Sequence, residues 1–324
     1  MLIDRYNGCA VGAKGGSELM YEELMRRLPC NLADPFQIIV SRVRELRPDK
    51  KPILWCQDPW KDQDAQHLRL AESRRRFKKI VFVSNYQFNT FRYELGVPYS
   101  ESAVLPNAIN SISNSIPEKP CDRIRLVYHS VPDRGLALLI PVFLALAEER
   151  PKLHLDVYSS FRLYGTPERD AKYESLFDVC RQHPKITYHG AVPNEEIREA
   201  LQRAHVFAYP CTQFETCCIA AIEAMSAGCL VVCPDVAALA ETVSSYGVVY
   251  RWTENAEEHK ERFRSALISA LDMIESGTAR ELLTIAQQRV ERRYTWRVRI
   301  GEWTRLLEEI LERDRLADAA HATE

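Results

Sequence analysis

Two carboxylates, Glu215 and Glu223, stand eight residues apart in the run AYPCTQFETCCIAAIEAMSAGCLVVCPDVAALAE, which spans residues 208–241. Eight residues is a little over two turns of a helix. Glu223 sits among Ile219, Ala220, Ala221, Ile222, Ala224 and Met225. A helix so apolar is expected to be buried on most sides. A carboxylate inside it needs a partner, because burying a lone charge costs several kcal/mol. A vicinal diol such as a ribose donates two hydrogen bonds to such a group. Before the helix, Thr216, Cys217 and Cys218 are small. They leave room for a diphosphate at the free backbone N–H groups of the helix start, where the dipole also favours an anion. The local chemistry is that of a nucleotide diphosphate lying across a helix N-terminus.

The elements that position these groups are legible around them. A strand ends near Ala208, a helix is expected from about Thr216 to Gly228, and CLVVC reads as a buried strand stopped by Pro234 and Asp235. Upstream, RIRLVYHSVPDRGLALLIPVFLALAEERPKLHLDVYSS reads as strand, loop, helix, strand, a parallel α/β unit. Arg134-Gly135 falls just before that helix, where a guanidinium bridges phosphate oxygens bidentately. KITYHGAVPNEEIREALQRAHVFAYP repeats the strand–loop–helix–strand pattern, with Ile197 and Leu201 on its buried stripe.

Near the N-terminus the loop NGCAVGAKGGSE precedes the helix ELMYEELMRRL, and Gly15 and Gly16 permit close approach of backbone to a ligand. PILWC is a strand ending in Gln57, Asp58 and Pro59. Ligands gather at strand carboxyl ends in open α/β sheets, which makes Asp58 a candidate.

The segment FETCCIAAIEAMSAGCLVVCPDVAALAE resembles the E-x7-E segment of glycosyltransferase family 4, the retaining "glycosyl transferases group 1". Its Thr-Cys-Cys replaces the usual Gly-Phe-Gly, as in a divergent branch. The resemblance implies an α/β chain of GT-B fold, with two Rossmann-like parallel-sheet domains facing a central cleft. It implies that Glu215 faces the donor sugar and diphosphate and that Glu223 binds the nucleotide ribose. Arg134 resembles the family's phosphate clamp. A second basic residue, about five positions earlier in relatives, is replaced here by His129 and Ser130, and Arg162 in SSFRLYG is the candidate substitute. The loop of Gly190, Ala191 and Val192 would hold the base through backbone atoms. Gly15 and Gly16 would lie beside the donor phosphates, and Asp58 would contact the donor sugar.

These implications define an expected activity. A hexose-type sugar passes from a nucleotide-diphosphate sugar, UDP or GDP, to the hydroxyl of a glycan or lipid-linked acceptor with retention of anomeric configuration. No cofactor and no metal are expected. Asp62-Gln63-Asp64 spells the D-x-D of the other glycosyltransferase fold, but it follows Pro59-Trp60-Lys61 and reads as the acidic start of a helix. Two other classes are a nucleotide-sugar epimerase of the same fold and a non-catalytic nucleotide-sugar-binding partner subunit.

Composition agrees with an enzyme of this kind. At 324 residues, 46% hydrophobic and 27% charged, the chain is long enough for two cores and ordinary for a soluble globular protein. The expected domains are residues 1–118, completed by the terminal helix 294–324, and residues 119–293. NSISNSIPEKP supplies the linker. A net charge of −2 gives no nucleic-acid signal. Residues 1–118 carry 17 basic and 14 acidic side chains. A cluster there, Arg74, Arg75, Arg76, Lys78 and Lys79, is a candidate contact with an anionic membrane surface. The ten cysteines form no C-x-x-C pair, and no apolar run is long enough to span a bilayer. A cytoplasmic protein, peripheral at the membrane through the basic cluster, is the expectation.

Overall fold

The computed structural model describes residues 3–12, 15–120 and 122–321. The chain divides into two compact units, Met1–Ala108 with Tyr294–Glu324, and Ile109–Arg293. Both are built on all-parallel sheets.

The first unit holds β1 (Phe36–Val40), β2 (Lys51–Cys56), β3 (Lys79–Phe82) and β4 (Ser102–Val104), side by side in chain order. Their runs are apolar without alternation because helices and loops cover both faces of a parallel sheet. Leu54, Cys56, Ile80 and Phe82 face a cluster completed by Phe88, Phe91 and Leu95 of the Asn85–Leu95 helix. On the opposite face Trp55 meets Trp303 edge-on, with ring centroids 5.2 Å apart and planes at 72°. Trp303 belongs to the Trp296–His321 helix, whose buried side also carries Trp296, Leu306, Leu307 and Ile310. Ile300 is half-buried, and its neighbour Arg299 is buried.

Before β1, and ahead of the Gly16–Arg27 helix, the strand pairing among the described residues is a single isolated bridge between Ile3 and Ala10. The helix expected to start at Asp62-Gln63-Asp64 is a 3-10 segment, Gln63–Arg69, followed by a single helical turn, Ala71–Arg74. Asp62 caps the 3-10 segment by accepting from the Asp64 N–H, and Asp64 pairs with Arg44 at 2.6 Å. The D-x-D carboxylates thus serve local structure. The basic cluster is also engaged: Arg74 pairs with Glu101, Lys78 with Asp314, Lys79 with the Ser100 carbonyl and Arg76 with Ser73.

The second unit holds β5 (Ile124–His129), β6 (Leu153–Tyr158), β7 (Ile186–Tyr188), β8 (Val206–Ala208), β9 (Leu230–Pro234) and β10 (Val248–Tyr250), in spatial order β10-β9-β8-β5-β6-β7. The chain steps outward from β5 to β7, returns to the other side of β5, and steps outward again. The strand order therefore reverses between β5 and β8, the place where doubly wound sheets open a crevice at their carboxyl ends.

The boundary between the units falls after Ala108, ten residues earlier than expected. The residues after it are fastened to the second unit. Ser226 Oγ accepts from the Ile112 N–H at 2.9 Å, Gln287 donates to the Ser113 carbonyl at 2.9 Å, and Arg198 donates to the carbonyls of Asn110 and Ser111 at 3.0 Å each. Lys119 Nζ reaches the Ala204, Ala227 and Gly228 carbonyls. These groups end two helices, where the last carbonyls have no partner within the helix itself. Among the described residues no helix is long and apolar enough to cross a membrane, and nine cysteines are free thiols.

Candidate functional site

The crevice position is occupied by a charged cluster. Arg134 ends a 3-10 turn, Pro132–Arg134, after β5, and Glu215 lies on the loop after β8. Because β5 and β8 are parallel neighbours, both loops leave the sheet at one edge. Arg134 Nη1 is ion-paired with Glu215 Oε1, and Tyr209 OH donates to the same oxygen at 2.6 Å. Glu215 and Tyr209 are buried, while 28% of the Arg134 side chain remains exposed. The Glu215 carboxylate holds the guanidinium well above its usual range, so Arg134 stays charged. Burial pushes the Tyr209 phenol up, so it stays a neutral donor.

The two loops are latched together. Thr212 Oγ1 donates to the Asp133 carbonyl at 2.9 Å and Gln213 Nε2 to the same oxygen at 3.4 Å. Gly135 is left-handed at φ 108°, and a Cβ there would lie 2.0 Å from the Pro210 carbonyl oxygen.

The helix after Glu215 starts later than expected. It runs Ile219–Ser226, and Thr216, Cys217 and Cys218 form a turn rather than the first helical residues. Two features explain the correction. Cys218 has φ 50° and ψ 74°, a left-handed conformation that leaves the helical path. The Glu215 carbonyl, which a longer helix would use, accepts from the Ala238 N–H at 3.0 Å, and Thr242 Oγ1 donates to the Cys217 carbonyl at 2.9 Å. Cys218 thus occupies a backbone state that glycine adopts at no cost.

Glu223 is buried as its surroundings require, with 5% exposure. Burial raises its carboxyl above the ordinary range, offset in part by Arg198. Its partners come from the Asn194–Arg203 helix: Asn194 Nδ2 donates to Oε1 at 3.3 Å, and Arg198 Nη1 lies 3.6 Å from it. Neither residue was singled out in the sequence. Their signal was only an Asn and an Arg four residues apart on a helix otherwise rich in Glu.

The family assignment follows from the segment that carries this cluster. The family model described as "Glycosyl transferases group 1" matches residues 125–272. Those residues form a group 1 glycosyl transferase domain.

Solved structures agree at the level of fold. A glycosyltransferase from Rickettsia africae ESF-5 superposes with a TM-score of 0.64 at 13% identity, covering 91% of this chain and 80% of that one. Anabaena Alr3699/HepE in complex with UDP-glucose gives a TM-score of 0.61 at 14% identity over 81% and 72%. WaaG, a glycosyltransferase involved in lipopolysaccharide biosynthesis, gives 0.59 at 15% identity over 89% and 81%. The two parallel-sheet units thus share the GT-B fold. Comparison with curated proteins gave no match.

Within the group 1 domain, His129 stands where relatives carry a second cation. It is buried, and among the described residues its Nε2 has no hydrogen-bond partner. Burial lowers its pKa to about 4, so it is neutral at physiological pH and is no second clamp. The unfolded chain takes up a proton below about pH 6.5, while the folded site resists until about pH 4. Stability from this group is therefore full above pH 6.5 and falls by about 2–3 kcal/mol as the pH drops toward 4. His129→Gln is expected to flatten that decline in urea melts between pH 7 and 4; an unchanged slope refutes the assignment.

The remaining candidates fall into two places. Gly190, Ala191 and Arg162 line one open depression of about 460 Å³ at the carboxyl ends of β6 and β7, and Val192 follows them, half-buried. Arg162 is exposed. Asp58, Gly15 and Gly16 belong to the first unit. Asp58 follows β2 and is ion-paired with Arg42 at 3.2 Å; burial raises its carboxyl above the ordinary range. Gly15 is buried at the N-cap of the Gly16–Arg27 helix, and the loop residues Ala13 and Lys14 lie outside the described residues. Ser84 caps the Asn85–Leu95 helix, and Asn107 exchanges two 2.9 Å amide bonds with Gln57. Among the described residues no group of three or more His, Cys, Asp or Glu side chains is placed to hold a metal ion.

Proposed function

We propose that this chain is a retaining glycosyltransferase that moves a hexose-type sugar from a nucleotide-diphosphate sugar to an acceptor hydroxyl. One observation carries the reading. A charged Arg134 and a buried Glu215 meet at the strand-order reversal of a group 1 glycosyl transferase domain, just before the Ile219–Ser226 helix that buries Glu223.

In this reading Arg134 exchanges its partner. With the site empty it neutralises Glu215; with donor bound it turns its fork to the diphosphate, and the first-turn N–H groups of the helix support the same charge. Glu215, still held by the Tyr209 hydroxyl, then orients the sugar. Glu223 accepts from the ribose diol, which replaces weak contacts at 3.3 and 3.6 Å with two hydrogen bonds. Charge that develops on the leaving diphosphate is stabilised by groups fixed beforehand, and the reaction asks for no metal. Among the fold relatives, Alr3699/HepE has been seen with UDP-glucose and with UDP and glucose. A uridine donor is therefore the first to try.

A thermal-shift screen of UDP, GDP, ADP, CDP and TDP sugars in EDTA tests the site. A donor at 100 times its Kd stabilises the protein by about 2.7 kcal/mol. Glu223→Gln keeps the volume, removes the charge and is expected to weaken that donor at least tenfold. Stabilisation by no donor refutes the reading, and stabilisation only when a divalent metal replaces EDTA refutes its metal-free form. Binding without transfer to any acceptor hydroxyl points to the non-catalytic partner subunit, a reading favoured by the neutral His129.

A further inference from the structure

His189 is the last residue before Gly190, and three contacts fix it, one through its backbone and two through its ring. Its backbone N–H donates to the Val157 carbonyl at 2.9 Å. Its ring lies flat on Tyr158, centroids 4.1 Å apart and planes within 4°. Its Nε2 lies 3.2 Å from Asp156 Oδ1. β6 and β7 pair Asp156 with Thr187 and Val157 with Tyr188, so the sheet register itself brings Tyr158 and His189 abreast. Yet 30% of the His189 side chain is exposed, and the residue lines the same depression as Gly190, Ala191 and Arg162.

An exposed histidine ordinarily turns freely about its side-chain bonds. Here one ring face is covered by Tyr158 and one ring nitrogen is tethered, so the ring is a prepared flat surface at the edge of an open depression. A flat partner that stacks on it gains contact area without having to order the ring. The family resemblance implies only backbone contacts from this loop to the base.

We infer that His189 is the stacking platform for the nucleobase of the donor. The inference rests on the nucleotide-sugar reading above and adds the side chain that grips the base. Stacking on an aromatic ring accepts any base, so His189 supplies affinity, and the edge contacts of the Gly190–Val192 loop are left to choose among bases.

Titration calorimetry on the whole chain separates base from phosphate. The probes are UDP, GDP, ADP, CDP, TDP and inorganic pyrophosphate, against wild type, His189→Ala and His189→Phe. His189→Ala is expected to weaken the preferred nucleoside diphosphate about tenfold and to leave pyrophosphate unchanged, while His189→Phe restores binding to within about threefold. Unchanged nucleotide binding by His189→Ala overturns the inference while the donor site stands. So does an equal loss for pyrophosphate, which would place the residue on the phosphates, and so does failure of phenylalanine to rescue. Wild type that binds none of the nucleotides overturns the donor-site reading and this one with it.

Discussion

Arg134→Lys is expected to lower kcat/KM for the donor sugar by about 100- to 1,000-fold while moving Tm by no more than a few degrees. The variant keeps a positive charge beside Glu215, so the buried carboxylate is not left alone, which would itself cost about 3–5 kcal/mol. What it removes is the planar fork. Arg134 neutralises Glu215 while sending part of its side chain to solvent, with 28% exposed against 10% for Glu215. That geometry suits a group that holds one anion while the site is empty and bridges two phosphate oxygens when it is filled. A lysine is a point charge that serves one or the other. Loss of one preorganised donor to a developing anion typically costs 10²–10³ in rate. Steady-state kinetics beside a melting curve decide the matter. Wild-type kcat/KM would remove Arg134 from the diphosphate, and a collapse of Tm would mean that its role is structural.

Gly135→Ala is expected to destabilise the second unit by about 4–5 kcal/mol or to prevent its folding, because strain and clash coincide there. At φ 108° a side chain is strained whatever the space around it. A Cβ would also stand 2.0 Å from the Pro210 oxygen and 2.8 Å from its carbonyl carbon. Neither atom can yield as the end of a flexible side chain can. Pro210 lies between Tyr209, which holds Glu215, and the latch residues Thr212 and Gln213, so separating the two loops also separates Arg134 from Glu215. Denaturation monitored by circular dichroism reads the loss. A variant as stable as wild type would show that the loops need not approach closely. Gly165→Ala is the control: it shares the left-handed φ, at 69°, but meets nothing within 4 Å, and should lose about 1 kcal/mol.

The sequence by itself determined the elements and the two carboxylates. Fully apolar runs bounded by turns are buried strands or helices, and their alternation with helical stretches marks a parallel sheet. The helix around Glu223 had no polar face to offer solvent, so burial of that carboxylate followed from its neighbours alone. The E-x7-E stretch and Arg134-Gly135 were legible because each is a short, continuous pattern. The first sheet also follows chain order, so adjacency in sequence became adjacency in space.

What only the tertiary structure decided is which distant groups meet. Glu215 and Arg134 are 81 residues apart in the chain. They touch because β8 returns to the inner side of β5, and nothing in either local sequence states that strand order. Arg198 and Asn194 reach Glu223 from another helix, and Tyr158 backs His189 only through the β6–β7 register. The start of the helix at Ile219 was hidden for the same reason. Segment 238–242 occupies the Glu215 and Cys217 carbonyls, and a competing hydrogen bond from a distant part of the chain leaves no local trace. Spacing along a chain reports which face of an element a residue occupies. Only the packing of elements reports what that face meets.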